Sequence, residues 1–378
     1  MYLLEHDAKE RLARHGIAIP AGCLVESASA VSTGTLPPGP WVVKGQLAAG
    51  GRGKAGLIRK AATLQEVRDH ARAILGATVK GQQVASVRVE HHVKAAREVY
   101  IGFLLDAASG GVRVVLSANG GMDIEQVPRD LIHSALAPPD AQSLTECVRR
   151  LAGDLPFEIA PSVRDAGERL ARAFMELEAL LIEINPLFVL DGGRWIAGDA
   201  RIITDDNALP RQKALEALLE TRAAAYPDVA RKHQHGFDYV VVDPEGEIGL
   251  LTTGAGLSMM LIDELRAAGM RPYNFLDIRT GGLRGEIKRL VQVLRWIGDG
   301  GRVRVLLVNI FAGITDLGEF SRLLVEAIAA APQLKVPVVA RLVGNGLPAA
   351  REVLAAAGIA LHTDLDAALN EVRQHLKA

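Results

Sequence analysis

Glu183 and Asn185 stand two residues apart in the apolar run Leu181-Ile182-Glu183-Ile184-Asn185-Pro186-Leu187. Side chains alternate between faces along a strand, so i and i+2 point the same way. Two oxygen-bearing groups then leave one face of an otherwise apolar element. Pro186, with no N–H to donate, is expected to end the ladder pairing. A turn at Asp191-Gly192-Gly193 and a second apolar segment, Trp195-Ile196-Ala197, run back and deliver Asp199. Hard oxygen ligands converging from a hairpin suit a magnesium ion that holds nucleotide phosphates. On spacing alone, a buried strand whose polar residues cap the adjoining loops accounts for the run equally well.

Lys44 ends a second strand-like run, Trp41-Val42-Val43-Lys44, which enters Leu47-Ala48-Ala49-Gly50-Gly51-Arg52-Gly53-Lys54-Ala55-Gly56. Glycines let backbone N–H groups turn toward an anion, while Lys44, Arg52 and Lys54 supply charge. This is not a P-loop, because Ala48 and Ala55 occupy positions where that motif needs Gly and Ser/Thr. By itself the loop also reads as an ordinary hairpin connection. Glu90 and Glu98 can accept hydrogen bonds from adenine or ribose, although a lone Glu is more often a solvated surface residue. His91 and His92, being adjacent, face opposite ways and read as loop histidines rather than a metal pair. Further on, a strand at Gly249–Thr252 enters Thr253-Gly254-Ala255-Gly256 and a helix over Leu257–Ala268. A Gly-rich turn at a helix N-terminus is a second candidate anion site. It is not a dinucleotide fingerprint, since Met259 holds the third Gly position, and a plain βα turn explains it equally well.

Two kinds of scaffold must carry these groups. The chain to about residue 235 mixes helices (Leu3–His15, Leu64–Leu75, Ser162–Leu180) with strands (Trp41–Lys44, Val84–Glu90, Val99–Leu104, Val112–Ser117), an α+β pattern. A charged, helix-rich connector spans 207–235, and the domain boundary is placed at its end. From residue 236, short apolar strands (Tyr239–Val242, Gly249–Thr252, Val303–Asn309, Val336–Val343) alternate with helices, which predicts a doubly wound parallel α/β sheet. A length of 378 residues with 49% hydrophobic content provides for two or three cores. A net charge of −1 and 4% aromatic residues argue against nucleic acid and anionic membranes as partners. Cys23 and Cys147 form no metal motif and read as reduced thiols, which points to the cytoplasm. No apolar stretch is long enough to span a bilayer.

Taken together, a strand with Lys44, the Gly-Gly-Arg-Gly-Lys-Ala-Gly loop, the Glu90/Glu98 pair, Glu183-Ile184-Asn185-Pro186-Leu187 and Asp199 resemble the succinyl-CoA synthetase β-subunit family. The likeness continues through Asp206-Asn207-Ala208-Leu209, Gly254-Ala255-Gly256-Leu257, Asn274-Phe275-Leu276-Asp277 and Val308-Asn309-Ile310-Phe311, over essentially the whole chain. It implies an N-terminal ATP-grasp domain of two subdomains (1–235) and a C-terminal flavodoxin-like CoA-ligase domain (236–378). It implies that Lys44, Gly51, Arg52 and Gly53 hold the nucleotide phosphates of ATP, and that Glu90, Val93 and Glu98 line the nucleoside pocket. Asn185 and Asp199 would ligate Mg2+, and Glu183 would face a phosphorylated histidine. Thr253, Gly254, Ala255, Gly256, Gly313, Ile314 and Thr315 would meet that histidine and the acid. The ten histidines include none in a Gly-His-Ala-Gly setting. The resemblance therefore implies an α subunit that supplies the phosphohistidine and most of the CoA site, in an αβ or α2β2 assembly.

Three departures from the family pattern lie near the carboxylic acid. Thr253 replaces Asn, Arg279-Thr280-Gly281-Gly282 replaces a glycine run, and Ala312-Gly313-Ile314-Thr315 replaces Gly-Gly-Ile-Val. Losing the Asn amide removes a donor, which Arg279 can replace with a charge-assisted contact; a surface-facing Arg279 is the alternative. Changes confined to these loops predict the same chemistry on an acid other than succinate. Malate–CoA ligase is the nearest variant, because it shares Asp205-Asp206-Asn207-Ala208. A stand-alone carboxylate–amine ligase and a degenerate regulatory subunit are the other readings. The second domain argues against the former, and intact Lys44, Asn185 and Asp199 against the latter.

Overall fold

The alternation of apolar and polar residues in the first part resolves into two larger antiparallel sheets and a two-stranded one pairing Thr78–Val79 with Gln82–Gln83. The structure is a computed structural model that describes residues 1–378 except Thr33, Ala49, Lys80, Gly81, 279–286, Ile314 and Ala378. The chain divides into two compact units, Met1–Thr221 and Arg222–Ala378, so the division falls inside the connector expected at 207–235.

In the first unit, Gly22–Val25, Val87–His91, Trp41–Gly45 and Ile58–Ala61 form one four-stranded sheet, in that order. The Leu64–Ile74 helix buries Val67, Ala71 and Ile74 against it. That helix starts where the sequence supplies a capping box, Thr63 with Glu66, which satisfies orphan N–H groups at its N-terminus. The second sheet runs Trp195–Ala197, Ala179–Val189, Arg97–Asp106, Gly111–Ser117 and His133–Ala137, with Arg201–Thr204 also pairing on Ala179–Val189. Helices Ala141–Ala152 and Ala160–Glu176 pack on it.

Two local expectations change. The helix expected to reach Leu180 stops at Glu176, and Glu178 takes φ +46° as the chain reverses into the strand. Pro186 does not end its strand, which continues to Val189. The register against Arg97–Asp106 shifts between Ile184 and Leu187, so Pro186 sits at an irregularity where no ladder N–H is required.

In the second unit, Ile248–Thr252, Val305–Ala312, Val338–Gly344 and Ala360–His362 form a four-stranded parallel sheet. Both faces are covered, which is why these strands read as continuous apolar runs. Leu306, Val308 and Ile310 face the helices Lys288–Gly298 and Leu317–Ala329, while Val305 and Leu307 face Ala255–Ala267 and Leu365–Lys377. The strand expected at Tyr239–Val242 stays outside this sheet and pairs antiparallel with Asn274–Asp277. Asn274, fully buried, joins this ribbon to the parallel sheet: its side-chain amide donates to the Leu250 carbonyl and accepts from the Leu250 N–H, both at 2.9 Å. One side chain thus replaces a pair of ladder hydrogen bonds. Among the described residues, no helix is long and apolar enough to cross a membrane.

Candidate functional site

A cavity of about 750 Å³ opens in the Met1–Thr221 unit. Its lining brings together the nucleotide, metal and catalytic candidates from this part of the sequence: Lys44, Gly51, Arg52, Gly53, Glu90, Val93, Glu98, Asn185 and Asp199, with Glu183. They arrive from both sheets. Lys44 ends the Trp41–Gly45 strand and Glu90 comes from the neighbouring Val87–His91 strand, where Val42 pairs with Glu90. Glu183 and Asn185 come from the Ala179–Val189 strand and share the cavity face, as their spacing requires. Asp199 follows the Trp195–Ala197 strand that pairs back on it.

The cations are already engaged. Lys44 Nζ lies 2.8 Å from both Glu5 and Glu90 carboxylates and donates to the Gly198 carbonyl at 2.7 Å. Lys9, fully buried, donates to Glu90 Oε2 at 2.8 Å and to the same carbonyl at 2.9 Å. Arg88, also fully buried, adds a contact to Glu90 Oε2 at 2.8 Å. Glu90 therefore lies under three cations with 2% of its surface exposed, rather than at an open nucleoside face. Burial works against charge on Lys44, but Glu5, Glu90 and Asp199 outweigh it and hold the ammonium well above its ordinary range. Burial likewise opposes ionisation of Glu5, yet Lys44, Lys9 and Arg52 overcome it and hold the carboxyl well below its usual value.

Arg52 carries the glycine loop across to the other sheet. It donates to both Asp199 oxygens at 2.8 Å and to Glu5 Oε2 at 2.6 Å. Asn185 anchors a different loop: its Oδ1 accepts from the Gly121 N–H and its Nδ2 donates to the Met122 carbonyl, both at 2.8 Å. Gly121 sits at φ +75°, a backbone conformation that favours glycine, with the Glu98 carboxylate packed where a Cβ would stand. Burial, reinforced by Asp199, Glu125 and Asp123, lifts the Glu183 carboxyl above its ordinary value against the pull of Arg201.

Whether these residues fit a magnesium ion can be judged from the donors. An amide oxygen has two lone pairs, and Gly121 uses one on Asn185. Asp199 supplies a carboxylate, and Glu183 lies on the same wall. Hard oxygens in small number are what magnesium takes from protein when phosphates and water complete its shell. The donor set fits, with Arg52 standing on Asp199 in its place.

In the second unit, the Gly254 N–H donates to Asp277 Oδ1 at 2.7 Å, and Gly254 takes φ +82° before the Ala255–Ala267 helix begins. Thr252 pairs in register with Asn309 on the adjacent parallel strand. Thr253–Gly256 and Gly313 therefore follow the carboxyl ends of neighbouring strands, where open parallel sheets take ligands. Arg279, with Thr280, Gly281 and Gly282, and Ile314 lie outside the described residues. Asp205 and Asp206 serve the fold: Asp205 Oδ1 accepts from the Asn207 N–H at 2.8 Å, and Asp206 pairs with the Met1 ammonium.

Sequence reasoning missed Glu5, Lys9, Arg88 and Arg201. The Glu5/Lys9 pair, four residues apart on a helix, reads as a solvated salt bridge. Arg88 and Glu90, two apart in the Val87–His91 strand, carried a signal that was available, since they share a face of an apolar element.

Comparison with known proteins matches residues 2–189 to the ATP-grasp domain model and residues 251–374 to the CoA-ligase model. The ADP-forming succinate–CoA ligase subunit beta of Chloroflexus aurantiacus is 38% identical over 363 residues, covering 94% of this chain and 93% of the relative. That of Ignicoccus hospitalis is 34% identical over 386 residues, covering 100% of both. In fold, the chain is similar to ATP citrate lyase from Methanothrix soehngenii in complex with citrate and coenzyme A. The TM-score is 0.73 at 18% identity, with 100% of this chain and 99% of that one covered.

Proposed function

This chain belongs to the β-subunit family of ADP-forming succinate–CoA ligases, enzymes of the acid–thiol ligase class that work with an α subunit, and we propose how its residues divide that work. ATP occupies the cavity of the Met1–Thr221 unit, with Arg52 and the Gly51–Gly53 backbone on its phosphates and Val93 and Glu98 beside the nucleoside. Lys44, tied to Glu5 and Glu90, contributes fixed positive charge beneath the phosphates. Asn185 and Asp199 hold the magnesium ion, which neutralises phosphate charge when bound. Glu183 faces a histidine that the α partner presents. The phosphohistidine then meets the acid at the Thr253–Gly256 turn and the Gly313–Thr315 loop, and CoA held mainly by the partner displaces phosphate from the acyl phosphate. Splitting one difficult condensation into phosphoryl transfers lowers each barrier.

The observation that carries this reading is the convergence of the nine nucleotide and metal candidates, with Glu183, on one cavity. Two free cysteines, Cys23 and Cys147, suit the reducing cytoplasm. We further propose that the acid is not succinate, because Thr253 stands at the strand end where the family carries an amide. Asp205 and Asp206 are committed to local structure and do not single out malate.

The test is a substrate screen of the chain reconstituted with its α partner, using dicarboxylates, hydroxy acids and branched acids with ATP and CoA. The expected outcome is ADP and acyl-CoA formation with a best acid other than succinate. Succinate preferred by about tenfold or more would refute the substrate assignment, since one altered polar contact is worth about 1–3 kcal/mol. Turnover of acid and CoA by the single chain would refute the division of labour.

A further inference from the structure

Arg201 lines the same cavity as Lys44 and Arg52 but is held differently. It opens the Arg201–Thr204 strand and pairs in register with Glu183. The side chains of Lys44 and Arg52 keep 8% and 11% of their surface and are saturated with oxygen partners; that of Arg201 keeps 42%. Its carboxylate contact, Glu183 Oε2, stands 3.6 Å away, outside hydrogen-bond range. Its Nε is buried with no partner among the described residues. The Tyr2 ring lies 5.1 Å from the guanidinium carbon and braces it. A buried donor left without an acceptor is costly in a folded protein and calls for a ligand or a mechanistic reason.

We infer that Arg201 is a catalytic residue of the phosphoryl transfer, its guanidinium receiving the oxygens of the γ-phosphoryl group beside Glu183. The inference rests on the function proposed above. In the step concerned, the lone pair of the unprotonated imidazole nitrogen forms a bond to the γ-phosphorus. The bond from that phosphorus to the bridging oxygen breaks, and its electron pair leaves with ADP. The other ring nitrogen keeps its proton, so positive charge grows on the imidazole while negative charge stays on the phosphoryl oxygens. Glu183 and Arg201, opposite each other in one strand pair, offer the complementary charges side by side. Lys44 cannot take this role without leaving carboxylates that hold it at 2.8 Å, and Arg52, even where magnesium displaces it from Asp199, stays tied to Glu5 at 2.6 Å. Arg201 gives up only a loose contact. Planar, bidentate donation to phosphoryl oxygens is the particular capacity of arginine.

The test compares the parent complex with Arg201→Met and Arg201→Lys in the reconstituted assembly. It measures single-turnover transfer of label from γ-labelled ATP to the α subunit, magnesium–ADP affinity by calorimetry, and the melting temperature. A lost transition-state guanidinium predicts a fall in the transfer rate of about 100-fold or more in Arg201→Met, with partial recovery in Arg201→Lys. Magnesium–ADP affinity should change by less than about threefold, because ADP lacks the group Arg201 meets. Transfer within about threefold of the parent would overturn the inference. So would a fall in transfer matched by an equal fall in ADP affinity or by a collapse in melting temperature, which would mark Arg201 as a binding or packing residue. A parent complex that binds magnesium–ADP but labels no histidine would refute the proposed function and this step with it.

Discussion

At the scale of single residues, charge is stored in the site before any ligand arrives. Lys9 and Lys44 share Glu5, Glu90 and the Gly198 carbonyl, and removing one member leaves its partners buried and uncompensated. Lys9→Met should therefore cost about 3–5 kcal/mol of stability, read from urea unfolding of the purified chain. The same network sets an acid limit. Glu5 and Glu90 are held below their ordinary values in the folded protein, so the unfolded chain takes up their protons first as pH falls. Their stabilisation should be complete above about pH 4.5 and drain away below it. In Lys9→Met the acid loss should be shallower, which pH-dependent unfolding curves will show. Arg52 on Asp199 makes a further demand, because a magnesium ion on that carboxylate has to displace a charge-assisted pair. Arg52→Gln should bind manganese, as a spectroscopic stand-in, about tenfold tighter and magnesium–ADP more weakly. Lys44, Arg52, Asn185 and Asp199 were legible in the sequence because glycines, strand spacing and a family resemblance marked them. Lys9 was not, since a helix with Leu3, Leu4, Ala8 and Leu12 on one side suggests that its charges face water. The burial of Lys9 comes from a long-range partner, Glu90 on the Val87–His91 strand, and from the Gly198 carbonyl.

At the scale of elements, the site depends on places where a regular element is interrupted. Pro186 lies within a strand that pairs on both sides of a register shift, and the neighbouring Asn185 amide turns out to grip the Gly121–Met122 loop. Gly121→Ala should push that loop off Glu98 and Asn185, because its Cβ meets the Glu98 carboxylate and its φ is positive. The expected result is a loss of about 1–2 kcal/mol in stability and a fall of roughly tenfold in magnesium–ADP affinity, read by thermal melts and calorimetry. Alternation located most of the strands within a few residues. What alternation could not supply was pairing. The strand near Tyr239 has the same apolar look as those of the parallel sheet, yet it pairs antiparallel with Asn274–Asp277. The deciding group is the Asn274 amide, a long-range contact with Leu250 that no local pattern encodes. Asn274→Ala should leave the Leu250 N–H and carbonyl without partners and cost about 2–5 kcal/mol in denaturant unfolding.

At the scale of the whole molecule, the function proposed above assigns the two units different halves of one reaction and its carrier to the α partner. The Met1–Thr221 unit has a cavity in which cations and hard oxygens face each other, suited to nucleotide and metal. The Arg222–Ala378 unit has glycine turns at the ends of adjacent parallel strands, suited to a small anion. A phosphoryl group moving between such sites needs a nucleophile that visits both, and covalent carriage by histidine meets that need because imidazole is a good nucleophile and a good leaving group. Several described histidines are committed locally: His6 to Arg88, His15 to Glu176, His70 to the Lys60 carbonyl, His91 to the Pro38 carbonyl, and His362 to Glu371. The carrier is therefore expected on the α partner, with a sharp consequence for the isolated chain. It should bind magnesium–ADP, and at a ligand concentration of about 100 Kd gain about 2.7 kcal/mol of stability. It should form no acyl-CoA with any acid. Addition of the α subunit should restore turnover and make ATP-dependent labelling appear on that subunit alone. Label on this chain, stable to base and lost in acid as phosphohistidine is, would mean that the carrier lies here and that the division between subunits is wrong.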